Sequence, residues 1–155
     1  MRRGIFVAAV VLLAAVLASA ASTASGSTAG TPTAKTVVLQ LRAAGLPIGT
    51  FKVYNERTDG NHLLGRPGQY TSKVNFVDKR IEDGPGGFDV GSGGAVEVFA
   101  SKADAKRRYD YIAALAKSPL FAEYDYLEGK GLLRLSHILL PSQAKKYETV
   151  FRRLV

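Results

Sequence analysis

The sequence predicts an α+β domain in which a mostly antiparallel sheet of about five strands carries helices on one face, in the order α-β-β-β-α-β-β-α. Three observations predict it. Apolar residues recur at helical spacing in three segments, alternate at period two in five others, and the strands are joined by hairpin-type links.

The first helix is read from Thr36 onward, where Val37, Val38 and Leu41 share one face, with Gly45 as C-cap and Pro47 stopping continuation. Phe51 to Glu56 alternates as a strand and ends at the turn Thr58-Asp59-Gly60-Asn61. His62 to Tyr70, holding Gly65 and Arg66-Pro67-Gly68, reads as a loop; Thr71 to Asp78 resumes strand character around Val74 and Phe76. Gly84 to Gly94 is glycine-rich and irregular, and Ala95 to Phe99 is a compact strand.

Ser101 and Asp104 nearly match a capping box, with Asp in place of Glu or Gln. The helix they open carries Ala105, Tyr109, Ile112, Ala113 and Ala116 as one apolar stripe and is broken by Ser118-Pro119. Glu123 to Leu127 and Leu132 to His137 form a hairpin around Glu128-Gly129-Lys130-Gly131. His137 continues the period-two row of Leu133 and Leu135, which places it at the end of a core-facing row. Pro141 starts the last helix, whose Ala144, Tyr147, Phe151 and Leu154 share a face.

Ahead of this single domain, residues 36–155, stand two other segments. Residues 1–20 read as a cleavable signal peptide: Arg2-Arg3, the apolar run Ile5 to Ala18, then Ala18-Ser19-Ala20. That run is shorter than the roughly twenty residues a bilayer span needs, which favours cleavage over anchoring and leaves no stable membrane insertion. Residues 21–35, ASTASGSTAGTPTAK, are small and hydroxylated without apolar periodicity, the composition of a disordered tether.

Composition narrows the function classes. The chain of 155 residues has no cysteine, which excludes disulfides, thiolate metal sites and thiol catalysis. Two histidines without cysteines also make no zinc site, and no cofactor motif is present. Of 21 Lys and Arg, Arg2 and Arg3 leave with the leader, and the remainder still outnumber the 13 Asp and Glu. For an exported protein this balance points to anionic envelope surfaces or acidic partners rather than nucleic acid.

The stretch from Leu41 to Leu154 contains Leu63-Leu64-Gly65-Arg66-Pro67-Gly68-Gln69-Tyr70-Thr71-Ser72-Lys73, then Phe76 and Asp78, Gly94-Ala95-Val96-Glu97-Val98-Phe99, and Leu132-Leu133-Arg134-Leu135-Ser136. In these segments it resembles a group of small secreted proteins and lipoproteins of filamentous actinobacteria with no established activity. The resemblance implies an extracellular address and no chemistry. Lipoprotein members would carry a cysteine at the cleavage point; Ala20-Ala21 stands there, so release or wall association is expected.

Asp59, Asn61, His62, Arg66, Lys73, Asn75 and Asp78 concentrate hydrogen-bonding side chains in one loop and the strand after it, the candidate ligand site. Read blandly, the same loop is fixed by its own side chain to backbone bonds. A second candidate is a basic patch of Lys102, Lys106, Arg107, Arg108, Lys145, Lys146, Arg152 and Arg153 on two helices, although Asp104 and Asp110 stand at the spacing of solvated surface pairs. The Gly84 to Gly94 run lacks a Lys-Ser or Lys-Thr ending and leads into a strand, so it reads as a flap with Phe88 as an apolar plug rather than a phosphate loop. Glu82-Asp83 or Glu97 with Asp89 offer carboxylates for acid–base work without a signature.

The leading expectation is therefore a secreted, non-enzymatic domain that binds a protein or small anionic ligand through the Asp59 to Asp78 region. One alternative is a small extracellular hydrolase using His62 with a nearby carboxylate. Another is a binder of anionic wall or membrane surface through the basic helices.

Overall fold

Helix α1, Ala34–Ala43, is opened by Thr33, whose hydroxyl accepts from the Thr36 N–H. In the computed structural model, which describes residues 30–82, 84–118 and 122–155, this start lies two residues earlier than expected. The reason is packing: Ala34 is fully buried and its N–H donates to the Ser72 hydroxyl at 2.9 Å, so the last residues of the expected tether belong to the domain. The leader and residues 21–29 lie outside the described residues. Gly45 follows the helix in the left-handed region at φ +87°, the conformation that ends helices and favours glycine.

Five strands follow: β1 (Ile48–Val53), β2 (Tyr70–Asp78), β3 (Gly93–Phe99), β4 (Glu123–Glu128) and β5 (Gly131–Ser136). They form one antiparallel sheet in the order β1-β2-β3-β5-β4. β1 begins and ends three residues before the expected strand. Ile48 is drawn into the core, and the Asn55 side chain accepts from the Arg57 and Thr58 N–H groups, closing a turn where alternation suggested more strand. Helix α2, Lys102–Leu115, takes Ser101 as N-cap as expected, and α3 is Pro141–Phe151, with the Gln143 side chain accepting from the Leu140 N–H.

Period two divides the sheet into two unlike faces. Val74, Phe76, Val96, Val98, Leu133 and Leu135 point to one side and meet Val37, Val38 and Leu41 of α1 and Ala144, Tyr147 and Phe151 of α3 in the main core. Phe76 and Tyr147 stack there with centroids 5.7 Å apart. The intervening residues Lys73, Asn75, Ala95, Glu97, Leu132 and Arg134 point the other way, and α2 covers that side: Ala105 packs with Leu132, Tyr70 and Phe99, while Arg108 binds Glu97. The gathering of helices on one face thus holds for α1 and α3, and α2 makes a second layer opposite them. A helix is needed there because Tyr70, Phe99 and Leu132 would otherwise be left in water.

The strand carrying Leu133 and Leu135 ends at Ser136, where the Leu139 N–H returns to the Ser136 carbonyl. His137 consequently lies in a turn and is exposed rather than core-facing. Among the described residues no helix is long and apolar enough to cross a membrane.

Candidate functional site

The loop between β1 and β2 is organised around Asp59, which is fully buried. Its carboxylate accepts from the Tyr70 hydroxyl at 2.6 Å, the Lys73 ammonium at 2.9 Å, and the Leu63 and Leu64 N–H groups at 3.1 Å. Burial alone would raise its pKa; the hydrogen bonds from Tyr70 and Lys73 outweigh that and hold the carboxyl well below its ordinary range. Asp59 is thereby committed to holding the loop.

The other expected site residues do not converge on it. Asp78 lies on the opposite face of the sheet, where it accepts from Arg80 and from the Tyr147 hydroxyl at 2.7 Å. Strand parity separates it from Lys73 and Asn75, a consequence of side chains alternating along β2 that spacing in sequence conceals. His62, at φ +53°, and Arg66 are exposed, and neither side chain hydrogen-bonds among the described residues. Asn75 donates to the Phe88 carbonyl at 2.7 Å, so the glycine-rich loop is tied to the sheet through its backbone. Of the expected site residues, Asn61 lines a cavity, with its amide 3.4 Å from the Tyr70 hydroxyl.

The basic residues are also divided, because α2 and α3 lie on opposite faces of the sheet. Lys106 pairs with Asp110, Lys145 with Glu148, and Arg152 with Glu128 and Glu148. Lys102 and Arg153 meet at one cavity near the Glu128-Gly129-Lys130 turn. Arg108 is withdrawn from solvent and bound to Glu97 at 3.0 Å.

What the fold does assemble is a groove of about 650 Å³ between α2 and the 61–69 loop. Arg107, Arg108 and Arg134 supply its cationic groups, Asn61 and Gln69 its amides, and Leu63, Tyr111, Ile112 and Leu115 its apolar surface. Among the described residues that line it there is no carboxylate. Arg107 reaches Asp104 from an exposed position, while the Arg108 guanidinium lies 5.7 Å from the Tyr111 ring centroid. A cavity of about 420 Å³ beyond α2 shares Ile112, Leu115 and Arg134 with it.

No family model, curated protein or solved structure matches the chain.

Arg134 belongs to a charged cluster beneath the groove. Its guanidinium donates to both Glu123 oxygens at 2.9 and 3.0 Å and reaches Glu97 at 3.5 Å, with Asp125 4.0 Å away. Glu97 sits between Arg108 and Arg134 and is fully buried; it does not pair with Asp89, which caps the 3-10 turn at Val90–Ser92. Burial and the neighbouring Glu123 charge push Asp125 up to about 7, and burial raises Glu123 as well despite its arginine. A signal for this cluster exists in the sequence. Glu97 and Arg134 each interrupt an otherwise apolar strand, and period two places both on the face away from Val96, Val98, Leu133 and Leu135. Among the described residues no group of His, Asp and Glu is arranged to hold a metal ion.

Proposed function

We propose that the chain is an exported, non-enzymatic domain that binds a small anionic ligand with an apolar or aromatic part, in the groove between α2 and the 61–69 loop. One observation carries this reading: three arginines converge on a cavity of about 650 Å³ whose remaining wall is largely apolar and which no carboxylate among the described residues enters. Such a volume suits a small molecule, and a few charged groups within an apolar lining fix orientation while the lining supplies contact area.

The two halves divide the work. Arg134 and Arg108 are held by buried carboxylates and stand preorganised, so an anion meets them without ordering long side chains. Arg107 is exposed and its pair with Asp104 is of the weak surface kind, so it is free to exchange that partner for the ligand. Tyr111, 57% exposed, and Leu115 offer apolar surface that the fold itself leaves uncovered. Export rests on the leader-like pattern of residues 1–20.

The test uses 1-anilinonaphthalene-8-sulfonate, an anion joined to a fused aromatic body, titrated into the mature chain while fluorescence is read. Saturable binding that weakens at least fivefold in Arg107→Gln and in Tyr111→Ala is expected. Binding unchanged in both variants contradicts the assignment of the groove.

A further inference from the structure

We propose that the groove is proton-coupled: uptake of a proton by the Glu123–Asp125 pair cancels the excess negative charge beneath Arg134, so that the anion is taken up as the medium acidifies. This rests on the groove reading above and adds its regulation and a ligand class, a monoanion such as a carboxylate or sulfonate on an apolar body.

The geometry supplies the coupling. Glu97, Glu123 and Asp125 surround two guanidinium groups, Arg108 and Arg134, so the buried cluster holds one formal negative charge more than positive. The Asp125 side chain is 8% exposed, and its Oδ1 has no hydrogen-bond partner. Glu123 stands two residues away on the same face of β4, and the Arg134 guanidinium lies against both acids, at 2.9 Å from Glu123 and 4.0 Å from Asp125. A single proton, taken from solvent onto one carboxylate oxygen of the pair, balances the charge of the cluster. Burial and Glu123 raise Asp125 to about 7, which puts the event in an accessible range.

The groups facing the pair come from every neighbouring element. Arg134 on β5 and Glu97 on β3 act on both acids, and Arg108 on α2 acts through Glu97. Asp89, on the loop before β3, and His137, in the turn after β5, face Glu123 across the smaller cavity. Of these, only Arg134 and Arg108 also line the groove.

With both acids ionised, Arg134 is engaged by Glu123 through both carboxylate oxygens and the net negative cluster repels an anion. With the proton bound the cluster is neutral, that repulsion is gone, and the guanidinium groups lining the groove attract the anion. Linkage makes the effect reciprocal, so anion binding must draw in a proton. A tenfold rise in proton affinity on binding gives about a tenfold gain in anion affinity at low pH.

The experiment measures anilinonaphthalene sulfonate dissociation constants from pH 5.5 to 8.5, a range in which the probe's sulfonate stays ionised. The wild-type chain is expected to bind about tenfold tighter at the acid end. Asp125→Asn, which cannot ionise, is expected to bind tightly and vary less than twofold. A second measurement needs no variant: calorimetry at pH 7 in buffers of different ionisation enthalpy should show net proton uptake on binding. Groove-dependent binding that is flat with pH and takes up no proton overturns the coupling alone. Absence of probe binding at every pH overturns the groove reading with it.

Discussion

The Lys73 ammonium on β2 donates to the Asp59 carboxylate of the preceding loop at 2.9 Å, with both side chains withdrawn from water. The pair fixes the loop that walls the groove, since Asp59 also accepts the Leu63 and Leu64 N–H groups. Asp59→Ala leaves a buried lysine without its counter-charge and should cost about 3–5 kcal/mol in urea unfolding. Adding Lys73→Met removes the stranded charge, so the double variant should recover part of that loss.

Stability should pass through a maximum on the acid side of neutrality. Hydrogen bonds outweigh burial and lower the pKa of Asp59 and Asp78, so their contributions are present above the ordinary carboxylate value of 3.8 and are lost as pH falls below it. Asp125 has the opposite sign. Raised from 3.8 to about 7, it contributes stability that is present below 3.8 and lost as pH rises through 7. Thermal unfolding should therefore show a Tm falling between about pH 4 and 7 and levelling above that, with the fall reduced in Asp125→Asn.

Gly94 lies where the sheet leaves no room for a side chain. A Cβ there would meet the Arg134 carbonyl oxygen at 2.6 Å and the Phe76 ring at 2.7 Å. Gly94→Ala forces apart β3, β5 and the main core, at a cost of about 1–3 kcal/mol, read by chemical denaturation. Because the displaced backbone is that of Arg134, probe binding should weaken as well.

Much of the fold was legible because its elements carry redundant local signals. Pro141 with the Tyr147 and Phe151 face, or Ser101 with the Ala105 and Ile112 stripe, state a helix by cap and by period at once. The site was less legible. Asp59, Asn61, Lys73 and Asp78 look like one polar cluster in sequence, yet parity along β2 sends Asp78 to the α3 side, and Asp59 spends its oxygens on the loop's own backbone. The arginines of the groove come from α2 and β5, joined only by tertiary packing. In sequence Arg134 interrupts an apolar strand, and its place in the groove depends on the helix that covers the second face.

His62 separates a structural loop from a catalytic one. It holds a left-handed φ of +53° with an exposed side chain, so His62→Gly should stabilise the chain by up to about 1 kcal/mol. Its probe affinity should equal that of the wild type. A loss of binding would return the imidazole to the site.

The most direct test of the groove follows the arginine side chains by nuclear magnetic resonance while anilinonaphthalene sulfonate is added at pH 6. The Nε–Hε resonances of Arg107, Arg108 and Arg134 should shift together along one saturation curve. Shifts confined to Arg152 and Arg153, just past the end of α3, with those three unmoved, would contradict it.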